Sequence, residues 1–302
     1  MPKTKKTLPV KNVQEENAQQ PRADATVRVS SIDVTDLAGV VYSSGKVFDG
    51  LVTGRLDTER FLRSGSLVGV TSRSDLALLE DLRDVSQFII DRSQQPKKPI
   101  TVDFVRAVNA KITRSGAIHP GEFRTSDQQI GVNTRHGRHA PDAMTDTKLQ
   151  GLIEDSQSST DTREAALDLF VNLAKAQPFE DGNKRTALFV ANSLLLSSEV
   201  GEILTIPVDE QDPSVADSFN DLLARAYVLN EHEGVKNLLR ERGLALLEGH
   251  TKRVSTKQQS TAPDASGGSG GSPWHEKAKD DLARRTAALD HEAAAADSGY
   301  EH

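Results

Sequence analysis

The chain has no cysteine, so neither disulfides nor thiolate zinc sites can contribute to its fold. It lacks long apolar runs as well. The longest, such as Leu194-Leu195-Leu196, are far too short to span a bilayer. Met1-Pro2-Lys3-Thr4-Lys5-Lys6 is a basic start, but no apolar segment follows it, so no ordinary secretory signal is expected. Positive charge is not in excess: the formal net charge of -7 argues against a general nucleic-acid binder, local basic runs being a separate question. Apolar residues are also sparse, at 36% of 302 residues with a mean hydropathy of -0.48, low for a chain packed throughout. The expectation is a soluble cytoplasmic protein with one large domain and unpacked extensions, without internal repeats.

Composition places the extensions at the two ends. Residues 1–28 are polar and have no periodic apolar face, and residues 251–302 open on a Ser/Gly-rich linker, Ser266–Ser272; both read as disordered. The Lys3, Lys5, Lys6 and Lys11 cluster and the segment around Trp274 read as solvated tail rather than docking handles. Residues 29–73 read as an extension packed on the core and residues 74–250 as the main domain. Within these, Gly39–Tyr42 and Lys46–Phe48 around Ser43-Ser44-Gly45 suggest a short hairpin. Asp57–Ser64, stopped by Gly65, suggests a helix.

Helical periods then dominate. Ser74 is a candidate cap for a helix carrying Leu78, Leu82, Val85 and Ile89. Thr101 is one for a helix carrying Val102, Val105, Val108 and Ile112, with Gly116 as its exit. Residues 117–142 fit no helical period and read as an extended excursion or loose hairpin, the kind of long loop that carries function. Helices resume over Asp146–Gln157, over a segment opened by Asp161 and Glu164, and over Ala187–Leu195. Ile203–Ile206 suggests a strand; Pro213 opens a helix to about Leu229, and Val235–Leu247 reads as the last one.

Between the two most apolar helices lies Gln177-Pro178-Phe179-Glu180-Asp181-Gly182-Asn183-Lys184-Arg185. A loop that places a glycine, an amide and two cations at a helix start suits a phosphate, which wants free backbone N–H groups and the positive end of the helix dipole. A carboxylate beside them suits magnesium bridging to phosphate. Gly182 allows dihedrals closed to other residues. The glycine and Lys-Ser/Thr spacing of a Walker A loop is absent.

This stretch resembles the signature of Fic/Doc proteins, His-x-Phe-x-Asp/Glu-Gly-Asn-Gly/Lys-Arg, and matches it at every defined position after the first. The resemblance reaches upstream through Gly121-Glu122-Phe123-Arg124 to about His139, where the family has a flap. It implies an all-α fold with a small β-hairpin flap, binding ATP and Mg2+ and modifying a hydroxyl of a target protein by AMP transfer or, in Doc-like members, by phosphate transfer. By position it implies that Asp181 holds the metal, that Gly182, Asn183 and Lys184 form the anion hole, and that Arg185 pairs with phosphate. Phe179 would anchor the loop. Residues Arg124, Thr125, Gln129, Ile130 and Val132 would lie along a target-docking edge.

Departures from the pattern carry as much information. Gln177 stands where the family has its general-base histidine, and an amide cannot take up a proton, so slow or absent turnover is expected. Lys184 is Doc-like, and Leu188 stands where many members have a second arginine. No Ser/Thr-x-x-x-Glu-Gly/Asn inhibitory motif occurs, so a separate antitoxin-like inhibitor, or none, is the expectation. His119, His136 and His139 are alternative bases, though exposed loop histidines are the plainer reading; Arg135 and Arg138, with Arg124, are candidate contacts to an acidic target or to phosphate. An impaired enzyme and a nucleotide-binding protein that acts by holding a partner both remain open, and an unrelated helical scaffold is the bland third.

Overall fold

The computed structural model describes residues 32–247 except 96, 97, 117 and 129; both expected tails, the lysine cluster, Trp274 and Gln129 lie outside the described residues. The described chain is helical, with two small antiparallel ribbons. After a 3-10 turn, Val34–Leu37, come α1 (Ala38–Asp49), α2 (Arg55–Ser64), α3 (Arg73–Ser93) and α4 (Val102–Asn109). The ribbon β1 (Val132–Thr134) and β2 (Gly137–His139) follows, then α5 (Asp146–Ser156), α6 (Thr162–Ala176) and α7 (Asn183–Leu196). The chain continues through β3 (Glu202–Leu204), α8 (Ser214–Leu229), α9 (His232–Arg242) and β4 (Leu244–Leu246). No described helix is long and apolar enough to cross a membrane.

Helices α6 and α7 form the centre. Ala166, Leu167, Leu169, Phe170 and Val171 of α6 and Ala187 through Ala191 of α7 have no exposed surface. A helix apolar around most of its circumference must be covered on most sides. Here α3, α4, α5 and α8 do the covering, and Phe170 stacks on Phe219 of α8 at 6.3 Å between ring centres. The Asp161 carboxylate caps α6 by accepting the Arg163 N–H at 2.8 Å.

Four local expectations are corrected. Residues 38–49 are helix α1, not a hairpin: Leu37, Val40, Val41 and Ser44 are fully buried at helical spacing, and Gly45 lets Leu51 approach to 3.0 Å of where a Cβ would stand. Ser72, not Ser74, caps α3 by accepting the Asp75 N–H at 2.9 Å. Helix α4 ends at Asn109 rather than near Gly116, because the Asp81 carboxylate accepts the backbone N–H groups of Thr113, Arg114 and Ser115 that a longer helix would need. The last helix stops at Arg242. A Cβ at Gly243 would meet the Thr205 carbonyl at 2.9 Å, so only glycine allows the chain to cross there and pair β4 with β3.

A cleft at the N-terminus of helix α7

Helix α6 ends in an unusual way. Gln177 is its C-cap, buried, and in the left-handed region at φ 45° and ψ 61°. Its carbonyl accepts a hydrogen bond from Arg124 Nε at 2.8 Å, while the Arg124 backbone N–H donates to the Pro178 carbonyl at 3.0 Å. Phe123 and Phe179 bridge as a two-residue antiparallel pair with rings 5.6 Å apart, and Phe179 has no exposed surface. The segment before the ribbon is thereby stitched onto the motif loop.

Arg124 was expected on the docking edge, and the structure corrects this. It is 4% exposed, and its guanidinium donates to the carbonyls of Gln177, Pro141 and Asp142, at 2.8, 2.5 and 2.6 Å. Three converging carbonyls are a better-matched partner for a five-donor fork than a solvent-facing target. Thr125 is exposed, Ile130 is half-buried and Val132 opens strand β1.

Glycine makes the turn into α7. Gly182 is the N-cap at φ 72°, and a Cβ there would stand 3.0 Å from Ile112 Cδ1 and 3.2 Å from Asn109 Nδ2. Having no side chain, it caps nothing, and no acidic residue sits in the first turn of α7. The helix therefore presents the first-turn N–H groups of Asn183, Lys184 and Arg185 and its positive dipole end to whatever lies ahead of it. The Asn183 side chain serves the loop itself, accepting the Phe179 N–H and donating to the Phe179 carbonyl, both at 2.9 Å. Its backbone is what remains for an anion.

Two charged side chains flank this end. Asp181 is 57% exposed and accepts the Gly182 N–H at 2.6 Å. Arg185 is the reverse, with 3% of its side chain exposed; it donates to Ser115 Oγ at 2.8 Å and to the Ser115 carbonyl at 3.1 Å. The carboxylates of Asp49 and Asp181 lie 3.4 and 3.6 Å from it. Lys184 extends its ammonium over the Phe48 ring at 4.8 Å, and burial lowers its pKa against the pull of Asp49. Leu188 is fully buried in the core.

In front of this end opens a cleft of about 540 Å³. One wall is Val132 to Arg135, another is the face of α8 carrying Asp221 and Tyr227, and Gln177 and Lys184 line the rest. The Tyr227 hydroxyl is buried without a hydrogen-bond partner, and burial pushes its pKa up. The three histidines are all engaged: His119 with Glu180, His136 with Asp221 at 2.5 Å, and His139, which donates from Nε2 to the Lys175 carbonyl at 2.7 Å. Arg135 also pairs with Asp221.

Four residues that sequence reasoning passed over complete the site. Asn109 donates to the Asp181 carbonyl at 3.1 Å and to Thr186 Oγ1 at 3.0 Å, and accepts the Gly121 N–H at 2.8 Å. Ser115 and Asp49 meet Arg185 directly, and Asp81 holds Ser115. Asp81 and Asn109 did leave a signal: each is a polar residue at core-facing spacing, three after Leu78 and four after Val105.

Residues 99–195 match the Fic/DOC family. Among curated protein sequences, none matches the chain. A Fic domain containing signaling protein from Bacteroides thetaiotaomicron is similar in structure, with a TM-score of 0.54 at 18% identity over 79% of this chain and 96% of that one. Fic-1 from C. elegans gives a TM-score of 0.52 at 15% identity over 73% of this chain and 63% of that one. At such identities the likeness concerns the fold, and it includes helices outside the matched segment. Motif, fold and family match thus agree on residues 99–195, about a third of the chain, as the segment similar to the Fic/DOC family.

Proposed function

We propose that the domain binds Mg-ATP with its phosphates at the N-terminus of α7 and transfers AMP to a hydroxyl of a target protein, slowly, because Gln177 supplies no base. The observation that supports this most is the uncapped first turn of α7, with Gly182 in the left-handed region and the fork of Arg185 held beside it. The orphaned Tyr227 hydroxyl in the adjoining cleft is a hydrogen-bond donor suited to the rest of a nucleotide. The donor set fits magnesium brought in by the nucleotide: Asp181 is exposed at the mouth, and no group of three or more metal-ligating side chains gathers among the described residues. Magnesium is commonly held by one or two carboxylates with phosphate and water completing its shell, and bound there it would offset phosphate charge. Among the described residues strand β1 pairs only with β2, which leaves its outer edge for a target segment to add as a strand, with Val132 lining the cleft.

In this reading the target oxygen bonds to the α-phosphorus, pyrophosphate leaves, and the hydroxyl proton must go to a base. The Gln177 amide orders a hydroxyl by hydrogen bonding and leaves its proton in place. A positioned base contributes on the order of 10²–10⁴ in rate, so binding persists and turnover falls. Lys184 supports a second reading, transfer of the γ-phosphate, and an inert base position supports a third, a protein that acts by holding its partner. ATP labelled separately at the α- and γ-phosphates, given to the protein and to Gln177→His, divides the three. Label from the α-phosphate on protein in the histidine variant supports AMP transfer; label from the γ-phosphate moves the assignment to phosphate transfer. Tight nucleotide binding without label in either protein leaves the partner-holding reading, and absence of binding removes all three.

A further inference from the structure

Asp81 on α3 has no exposed surface, yet it is more fully hydrogen-bonded than any carboxylate at the cleft. It accepts the backbone N–H groups of Thr113 at 3.2 Å, Arg114 at 2.9 Å and Ser115 at 2.7 Å. It also accepts the Ser115 hydroxyl at 2.8 Å and Arg114 Nη1 at 3.1 Å. A hydroxyl has one proton to give. Because Ser115 gives its proton to Asp81, only a lone pair faces Arg185 Nη1, and the Ser115 carbonyl takes Nη2. Both terminal nitrogens of the guanidinium thus rest on one residue, which fixes the plane of the fork. Its Nε lies 3.4 Å from the Asp49 carboxylate and Nη2 3.6 Å from that of Asp181, the residue just ahead of Gly182.

We propose that Asp81, acting through Ser115, is a positioning residue for phosphate recognition: it sets the polarity of the Ser115 hydroxyl and thereby the plane in which Arg185 meets an anion. The inference rests on the reading of the α7 N-terminus as a phosphate site. Asp81 lies outside the family-matched residues 99–195, in a helix whose other buried positions are mostly apolar. An arginine released from such a cradle must be ordered by the ligand instead, at a loss of side-chain freedom of about 1.5–2 kcal/mol, which is on the order of tenfold in affinity.

Calorimetric titration of the full chain with Mg-ATP, Mg-ADP and adenosine tests this, using wild type, Ser115→Ala, Ser115→Thr, Asp81→Asn and Arg185→Ala. The expected result is about tenfold weaker ATP and ADP binding in Ser115→Ala and Asp81→Asn, with adenosine unchanged and Ser115→Thr restored to wild-type affinity. A general loss of structure would weaken adenosine equally. Should Asp81→Asn fail to fold, the two serine variants, which keep the Asp81 hydrogen bonds to backbone, still decide. If Arg185→Ala loses ATP while Ser115→Ala binds as wild type does, the positioning role is overturned and the phosphate site stands. If wild type binds neither ATP nor ADP, the phosphate site falls and the positioning role with it.

Discussion

The Asp49 carboxylate stands 3.4 Å from Nε of Arg185, so the cation assigned to phosphate already faces an acid from helix α1. Asp181 lies 3.6 Å from the same guanidinium, and Lys184 is the other cation in reach. Burial raises the Asp49 carboxyl pKa; Arg185 pulls it down, Asp181 adds to the rise and Lys184 opposes it. Asp49→Asn removes one negative charge a few ångströms from the phosphate position, worth about 1 kcal/mol in a water-like dielectric, so Mg-ADP should bind about fivefold more tightly near pH 7. A carboxyl raised in the folded state favours the fold most when protonated, and this contribution fades as pH rises through the folded pKa. The advantage of Asp49→Asn in titrations should therefore shrink toward nothing as pH is lowered through that pKa. An advantage that is constant or grows in acid would show that Asp49 does not compete for Arg185.

Gly182→Ala should weaken phosphate binding without unfolding the chain. Its φ of 72° costs a non-glycine residue about 1–2 kcal/mol, and the new methyl would meet Ile112 and Asn109 at 3.0 and 3.2 Å. The turn would shift and carry the first N–H groups of α7 with it. Mg-ATP affinity is expected to drop at least tenfold while Tm drops only a few degrees. Unchanged affinity would place the anion elsewhere.

Arg124→Ala separates a structural clamp from a docking contact. Removing the guanidinium leaves the carbonyls of Gln177, Pro141 and Asp142 without their donor, three polar groups in a mostly buried setting. A loss of about 3 kcal/mol in stability is expected by denaturant unfolding. Replacement of the exposed Thr125 by Ala should leave stability within about 0.5 kcal/mol. Equal, small effects from both would return Arg124 to the docking edge.

These cases show which features the sequence carries openly. Helices α6 and α7 are legible because Leu169, Phe170, Leu173, Leu188 and Leu195 recur at helical spacing on either side of a run too polar and too specific to be a plain turn. Helix α1 is not, since Gly39, Ser43, Ser44 and Gly45 look like turn residues until Leu51 is seen packed against Gly45. The roles of Arg124, Asp81 and Asn109 are set by carbonyls and amides tens of residues away, and no local period encodes such partners. Two residues outside 99–195 required the fold: Asp49, which meets Arg185 of the motif loop, and Asp81, which reaches that arginine only through Ser115.

Glu164 offers a pH test remote from the cleft. Arg240 meets it as a two-point fork at 2.5 and 2.7 Å, and Lys236 adds a contact at 3.3 Å. Arg240 foremost, with Lys236 and against the burial penalty, pulls its carboxyl down to about 2. A depressed carboxyl contributes stability above its unfolded pKa and loses it as pH falls through the folded one. Glu164→Gln should therefore lower Tm by roughly 4–8 °C at pH 7, equivalent to about 2 kcal/mol, with the deficit closing as pH falls from about 4.5 to about 2. A deficit that persists unchanged at pH 2 would mean that packing, not charge, holds α6 to α9.

Gln177 is best tested as a backbone position before it is tested as a catalyst. At φ 45° it sits where β-branched side chains are outliers and where His is among the residues found several-fold more often than average. Gln177→His should keep wild-type stability within about 0.5 kcal/mol, and Gln177→Val should lose about 2 kcal/mol or more, mostly through strain at this one residue. Denaturant midpoints for the two variants, measured beside wild type, check this. If valine is tolerated as well as histidine, the left-handed cap is not what holds the side chain at the cleft. Any gain of activity in Gln177→His would then need a cause other than a base placed where the glutamine stands.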